Sequence, residues 1–121
     1  MIKVPVAGRV KTRLAQQIGV SAATNFYRHN LQILIRRLSG SPLWMTILAL
    51  TPEPIDHNNC VPCTLLRLPQ GNGNLGQRMQ RLFDRFAPNP ILIIGSDVPS
   101  ICSEDITQAF SLLSGKKAVF G

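Results

Sequence analysis

Short apolar segments alternate along this chain with segments whose apolar residues recur at helical spacing, and this alternation limits the folds open to it. The apolar segments are 2–6, 44–50, 63–68, 91–95 and 117–121, and the helical ones are 11–18, 21–38, 75–86 and 103–113. Strands that alternate with helices are joined by crossovers and lie parallel. The sequence therefore predicts one α/β domain over residues 1–121, with a mostly parallel sheet sandwiched by helices. Segment 91–95 (ILIIG), apolar throughout, is predicted to be a central strand.

The charge balance favours an anionic partner. Thirteen Lys and Arg residues against six Asp and Glu residues give a net charge of +7, which suits nucleotides, nucleic acids or acidic lipids. Aromatic residues are few and mostly fall on core-facing positions, which argues against a nucleic-acid stacking surface. No stretch approaches the roughly 20 apolar residues of a membrane span. Three cysteines without a leader sequence predict reduced thiols and a cytoplasmic location.

The first candidate site is a basic turn, residues 8–13 (GRVKTR), between a predicted strand and a predicted helix. Ligands of parallel sheets bind outside the carboxyl ends of the strands, where this turn lies. Gly8 permits close approach of an anion, and Lys11 and Arg13, with Arg9 beside them, would complete a phosphate cradle. The spacing is not that of a Walker loop. An ordinary exposed basic helix start is the alternative, although cations at a helix N-terminus oppose its dipole.

The second candidate is Asp97, in the segment 95–100 (GSDVPS), directly after the predicted central strand. A single carboxylate at that edge of the sheet suits Mg²⁺, which commonly takes one or two carboxylates together with substrate phosphates. The alternative is an Asx turn, in which the side chain bonds its own backbone.

The third candidate is the glycine loop, residues 70–76 (QGNGNLG), just before a predicted helix. Glycine loops at the edge of a sheet commonly close on ligands, and Arg78, one turn into the helix, could face the same pocket. The alternative is an ordinary strand-to-helix connection with Asn74 as the helix N-cap.

A partial zinc motif competes weakly with these candidates. His57, Cys60 and Cys63 have the spacing H-x2-C-x2-C, and Cys102 could be a fourth ligand. A single C-x2-C pair is a weak signal because structural zinc requires four ligands.

Taken together, the stretches KVPVAGRVKTRL, QGNGNLGQRM and IIGSDVP resemble one family. It is the bacterial glycosyltransferase-A-like (GT-A) group of uncharacterised proteins, of the radical-SAM/selenodomain-associated transferase or DUF2064 type. The group is related to molybdenum-cofactor and 2-phospholactate guanylyltransferases. The resemblance implies a Rossmann-like nucleotide-diphospho-sugar-transferase fold that binds a nucleoside triphosphate or sugar nucleotide.

The resemblance also assigns residues to roles. Phosphates would be held by Gly8, Lys11, Thr12 and Arg13, and a second binding loop would comprise Gln70, Gly73, Leu75, Gly76 and Arg78. Asp97 would be the metal ligand, for Mg²⁺ or Mn²⁺, and Lys11 and Asp97 would carry the catalysis.

Two departures from the family pattern limit these assignments. Asn74 stands where the family has an aspartate, which removes a possible ligand or base. The family also extends before the first strand and continues past Gly121 into an Asp-Gly-Gly-Tyr-type motif, so the chain resembles an incomplete domain. Two functions stay open: a nucleotidyl- or glycosyl-transferase with an unknown acceptor, or a catalytically inactive nucleotide-binding or assembly module. Exposed sheet edges would be covered in a homo-oligomer.

Overall fold

The computed structural model describes residues 1–52 and 64–121. Its elements in chain order are β1 (Ile2–Lys3), α1 (Thr12–Ile18), α2 (Val20–Leu38), β2 (Ile47–Thr51), β3 (Leu66–Pro69), α3 (Leu75–Phe86) and α4 (Ser103–Leu113). The predicted alternation of strands and helices is confirmed. Each helix begins within one residue of the position that the apolar periodicity predicts.

The described strands form one parallel sheet in the order β1-β2-β3. Ile2 pairs with Leu50 across the first two strands, and Ile47 pairs with Leu66 across the next two. Because all three strands run in the same direction, the segments that follow Lys3, Thr51 and Pro69 all leave from one edge. This carboxyl edge is where the sequence places its candidate sites.

The predictions of strands at 91–95 and 117–121 are wrong, since neither segment is a strand in the structure. The Met1 amino group donates to the Ile94 carbonyl, and one tyrosine hydroxyl contacts both Lys3 and Ser96. Residues 94–96 therefore run alongside β1 in the same direction. They form no ladder with β1, and Pro5, two residues after the strand, has no N–H to extend one. In segment 117–121, Phe120 is 94% exposed, which shows that apolar content alone does not form a strand.

Helix α2 supplies the centre of the core. Its Leu31 is fully buried, as is Leu50 of β2. One cluster packs α2 on the sheet and contains Ile2, Val10, Tyr27, Leu31, Ile35, Leu48 and Leu50. A second cluster joins α2 to α4 and contains Leu34, Leu38 and Ile106, with Leu92, Ile94 and Phe110 packed against it. The long α2 therefore fixes both the sheet and segment 91–95.

Two serines whose type and position predict helix N-caps, Ser21 and Ser103, do not serve as caps. Gly19, at φ 87°, ends α1 and is also the N-cap of α2. Cys102 is the N-cap of α4. Its backbone N–H donates to Asp105 Oδ2 at 2.8 Å, and this bond holds the pKa of the Asp105 carboxyl below its ordinary value. Over the ranges 1–52 and 64–121, the chain has no helix with the length and apolar content to cross a membrane.

Candidate functional site

The basic turn is folded by its own backbone. Val6 N–H donates to the Val4 carbonyl at 2.8 Å, and Arg9 N–H donates to the Val6 carbonyl at 3.0 Å. Val10, only 4% exposed, anchors the turn in the core cluster beneath it. Gly8 has φ 74°, and a Cβ there would meet nothing within 4 Å, so backbone conformation and not space requires glycine.

Lys11, the N-cap of α1, adopts the left-handed conformation with φ 47° and ψ 43°. Among the described residues it is the single non-glycine residue with positive φ. This conformation costs a non-glycine residue about 1–2 kcal/mol, and such strain is typical of functional positions. The burial of Val10 on one side and the contacts of the Lys11 side chain on the other offset that cost.

The Lys11 side chain pairs with the candidate metal ligand. Its Nζ donates to Asp97 Oδ1 at 2.7 Å, across 86 positions of sequence. No other ion pair forms within the described part of the chain. The Lys11 side chain is 31% exposed and that of Asp97 is 68% exposed, so the pair faces solvent. The structure thus brings together two residues that the sequence assigns separately to phosphate and to metal, and Asp97 bonds to Lys11 and not to its own backbone.

Tyr27 of α2 lies beneath this pair, and the sequence prediction did not assign it a role. Lys11 Nζ lies 5.9 Å from the centroid of its ring, within the range of a cation–π contact. The hydroxyl donates to the Lys3 carbonyl at 2.9 Å and lies 3.1 Å from Ser96 Oγ. The available signal was a tyrosine on the mostly aliphatic buried face of a helix, because a buried hydroxyl requires a partner.

Burial raises the pKa of the Tyr27 phenol above its ordinary value. The hydrogen bonds with Ser96 and Lys3 oppose that shift, and the charge of Asp97 adds to it. The phenol therefore stays protonated at neutral pH. Since its single proton is donated to the Lys3 carbonyl, Ser96 must be the donor in the second bond.

The glycine loop is held by the helix that follows it. Arg81 donates through Nη1 to the Gln70 carbonyl at 2.6 Å and through Nη2 to the Asn72 carbonyl at 3.0 Å. Asn74 is the N-cap of α3 and forms a reciprocal capping box with Gln77, with both bonds at 2.9 Å. The alternative role of Asn74 as a helix cap is therefore confirmed, and the amide there has a structural use.

The predicted binding residues of this loop differ in availability. Gln70 is only 4% exposed, and its Nε2 donates to the carbonyls of Ile2 and Ala49, so it joins β1 to β2. Arg78 Nε donates to the Gly73 carbonyl at 2.9 Å. Leu75 and Gly76, in the first turn of α3, are exposed. Within residues 1–52 and 64–121, no hydrogen bond or ion pair joins the glycine loop to Lys11 or Asp97.

Arg9, Thr12 and Arg13 are exposed at the basic turn. Neither guanidinium makes a hydrogen bond or ion pair to any other described residue. Both are therefore available to an anion, whereas Lys11 is already paired.

Among the described residues, Asp97 is the one acidic side chain at this site that a metal could use. The described residues contain no group of three His, Cys, Asp or Glu side chains that could hold a metal. An exposed single carboxylate fits Mg²⁺ or Mn²⁺ only where phosphates and water complete the coordination. His57, Cys60 and Cys63 of the possible zinc motif lie outside the described residues.

A cavity of about 640 Å³ lies apart from the Lys11–Asp97 pair. It lies among α2, β2, α4 and segment 91–95, and its lining is mostly aliphatic and aromatic, including Leu34, Trp44 and Phe110. Such a lining cannot stabilise phosphate charge, because a buried anion requires donors or cations. The polar candidate site therefore lies at the carboxyl edge and not in this cavity.

Comparison with known proteins agrees with the fold. The structure is similar to the crystal structure of a protein from Desulfovibrio desulfuricans G20 provisionally assigned as a nucleotide-diphospho-sugar transferase. The TM-score is 0.79 with 27% sequence identity over 93% of this chain. The match covers 52% of the other protein, so this chain spans about half of its length. The predicted GT-A-like fold is confirmed.

Two sequence comparisons, with curated proteins and with protein families, bear on the identity of the chain. No curated protein matches the chain. Residues 34–121 match a family described as uncharacterised proteins conserved in bacteria, DUF2064. The matched range contains the glycine loop and Asp97 but not the basic turn. Because it covers well over half of the sequence, the chain belongs to the DUF2064 family of bacterial proteins.

Proposed function

We propose that this chain is the nucleotide-binding part of a transferase that uses a nucleoside triphosphate or a sugar nucleotide. The observation that carries the proposal is the 2.7 Å contact between Lys11 and Asp97 at the carboxyl edge of the sheet. It joins the basic turn to residues 95–100, the acidic turn, which contains Asp97. The similarity to the Desulfovibrio protein supports the same class of substrate.

In this proposal the cations of the basic turn bind the phosphate chain. Arg9 and Arg13 are exposed and have no described partner, and Lys11 exchanges Asp97 for phosphate. Concentrating positive charge on the phosphates stabilises the leaving group, which is pyrophosphate in nucleotidyl transfer and a nucleoside diphosphate in glycosyl transfer. The acceptor and the choice between the two reactions stay open.

Asp97 would hold Mg²⁺ or Mn²⁺ together with the substrate phosphates. The ion, when bound, would supply charge neutralisation at the phosphates and help to orient them. Asp97 becomes available when Lys11 turns toward phosphate. The residues present fit this arrangement because the carboxylate is exposed and its second oxygen is not needed for the ion pair.

Calorimetric titration tests the proposal. GTP, CTP, UTP, ATP and UDP-glucose are titrated with and without Mg²⁺ into the wild type, Lys11→Ala and Asp97→Asn. We expect binding that selects one base, requires Mg²⁺ and is weakened in both variants. Absence of binding by folded wild-type protein would refute the proposal.

A catalytically inactive binding module is the second candidate. The observation that favours it is Asn74, whose side chain caps α3 where the family pattern has an aspartate. Such a module would bind nucleotide through Lys11 and Arg13 without Mg²⁺. Binding that is lost in Lys11→Ala but unchanged in Asp97→Asn would identify this candidate.

We also infer that the chain forms a homo-oligomer. In the described sheet β3 pairs only with β2, and its Leu66 is half-exposed. An uncovered strand edge is a template for pairing with another chain. Sedimentation equilibrium at micromolar concentration should give a mass above 13.3 kDa, and a stable monomer would contradict this inference.

A further inference from the structure

Tyr27 contacts both segments that the ion pair of the proposed site joins. Its ring faces Lys11, and its hydroxyl contacts the end of β1 at Lys3 and the acidic turn at Ser96. Helix α2, which carries it, is packed on the sheet through Leu31, a fully buried side chain four residues further on. The ring is therefore a fixed point, being itself only 3% exposed.

We propose that Tyr27 is a positioning residue that fixes Lys11 and Asp97 relative to each other, an inference that rests on the proposed function. Segment 91–95 is not held in a ladder with β1, so side-chain bonds help to set the position of the acidic turn. Arg37 of α2 holds the far end of the turn through the carbonyls of Pro99 and Ile101. The bond between Ser96 and the Tyr27 hydroxyl supplies one such link, one residue before Asp97. The ring face favours the Lys11 ammonium above it.

The hydroxyl and the ring have separable effects. Tyr27→Phe keeps the ring beneath Lys11 and removes both hydroxyl bonds, whereas Ser96→Ala removes only the bond to the acidic turn. If the Ser96 bond positions Asp97, both variants weaken metal-dependent nucleotide binding and their effects are not additive. If Tyr27 only stabilises the core, the loss of nucleotide binding in each variant is proportional to its loss of overall stability.

Thr24→Val is the matched control. Thr24 lies on the same helix, is 4% exposed and donates its hydroxyl to the Val20 carbonyl at 2.7 Å. This variant also removes a buried hydroxyl bond from α2, but one that does not contact the proposed site. If nucleotide binding were weakened only by a general loss of stability, Thr24→Val and Tyr27→Phe would therefore weaken it alike.

The experiment measures binding of the Mn²⁺ complex of the nucleotide that the wild type selects, together with thermal unfolding and the backbone amide order parameters of Ser96 and Asp97 from NMR relaxation. We expect Tyr27→Phe and Ser96→Ala to bind about threefold to tenfold more weakly, the range that one lost hydrogen bond produces. Both should have lower order parameters at residues 96–97. Thr24→Val should match the wild type in binding and in these order parameters.

Two results would overturn the inference: wild-type binding and order parameters in Tyr27→Phe, or equal weakening in Thr24→Val. If the wild type binds no nucleotide, the proposed function fails, and the order parameters then decide the inference alone. Lower order parameters at Ser96 and Asp97 in Tyr27→Phe would support it, and unchanged values would overturn it.

Discussion

Removing the ion pair between Lys11 and Asp97 should change the affinity for metal and the affinity for nucleotide in opposite directions. In the free protein Lys11 competes with any cation for the Asp97 carboxylate, because its Nζ lies 2.7 Å from Oδ1. Lys11→Gln removes this competitor and should tighten Mn²⁺ binding in the absence of nucleotide. The same variant should weaken nucleotide binding, since a phosphate-binding cation is lost.

The magnitude follows from the exposure of the pair. Side chains that are 31% and 68% exposed form a surface ion pair, which is worth about 0.2–1 kcal/mol. Since about 1.4 kcal/mol corresponds to a tenfold change, the gain in Mn²⁺ affinity is at most about fivefold. The gain should shrink at high ionic strength, because salt screens exposed charges.

Electron paramagnetic resonance of free Mn²⁺ measures this affinity directly. The control is Lys117→Gln, which makes the same change of net charge at an exposed lysine after α4. Equal Mn²⁺ affinity of Lys11→Gln and Lys117→Gln would refute the claim that Lys11 competes with the metal for the Asp97 carboxylate. If the increase in Mn²⁺ affinity disappears in the double variant Lys11→Gln with Asp97→Asn, the increase is due to the Asp97 carboxylate.

Three further predictions concern stability. Gly73→Ala should destabilise the protein by about 1–2 kcal/mol in urea unfolding, because Gly73 has φ 105° and a Cβ would clash with Gln77 Oε1. Gly115→Ala, with open space around it, should be near neutral, and equal losses would contradict this. Leu31→Ala should cost about 2–5 kcal/mol by the same assay, since Leu31 is fully buried; a loss below about 1 kcal/mol would contradict the packing of α2. The hydrogen bond from Cys102 N–H lowers the pKa of Asp105 in the folded protein. As the pH drops from about 5 toward 3, the unfolded state therefore binds a proton at Asp105 more readily than the folded state does, and the stability of the protein falls. Asp105→Asn should show a smaller fall over that range, and an unchanged pH profile would refute the role of the carboxylate.

Local patterns in the sequence were sufficient for the helices and for the class of fold. The apolar periodicity of 75–86 and 103–113 predicts α3 and α4 at their observed bounds. Asn74 as the N-cap of α3 is likewise a local feature, since the capping box joins residues only three positions apart. Alternation of strands and helices predicts the parallel order that the sheet adopts. Periodicity and capping act over a few residues, which is why sequence reveals them.

Strand formation depended on neighbours that the sequence does not specify. Segment 91–95 is the most apolar in the chain, yet it lies beside a two-residue β1 and forms no ladder. A strand is defined by hydrogen bonds to another strand. Composition therefore predicted that these residues pack against the core, where Leu92 and Ile94 are partly buried, but not what their backbone does.

The candidate site shows the same division. By itself the sequence determined the chemical groups: cations at residues 9–13, a carboxylate at Asp97 and glycines before α3. Only the tertiary structure decided that Lys11 pairs with Asp97 and that Tyr27 lies beneath them, while Gln70 is buried between strands. These contacts join residues up to 86 positions apart. Their geometry is set by the packing of α2 on the sheet, and no local pattern of residues encodes it.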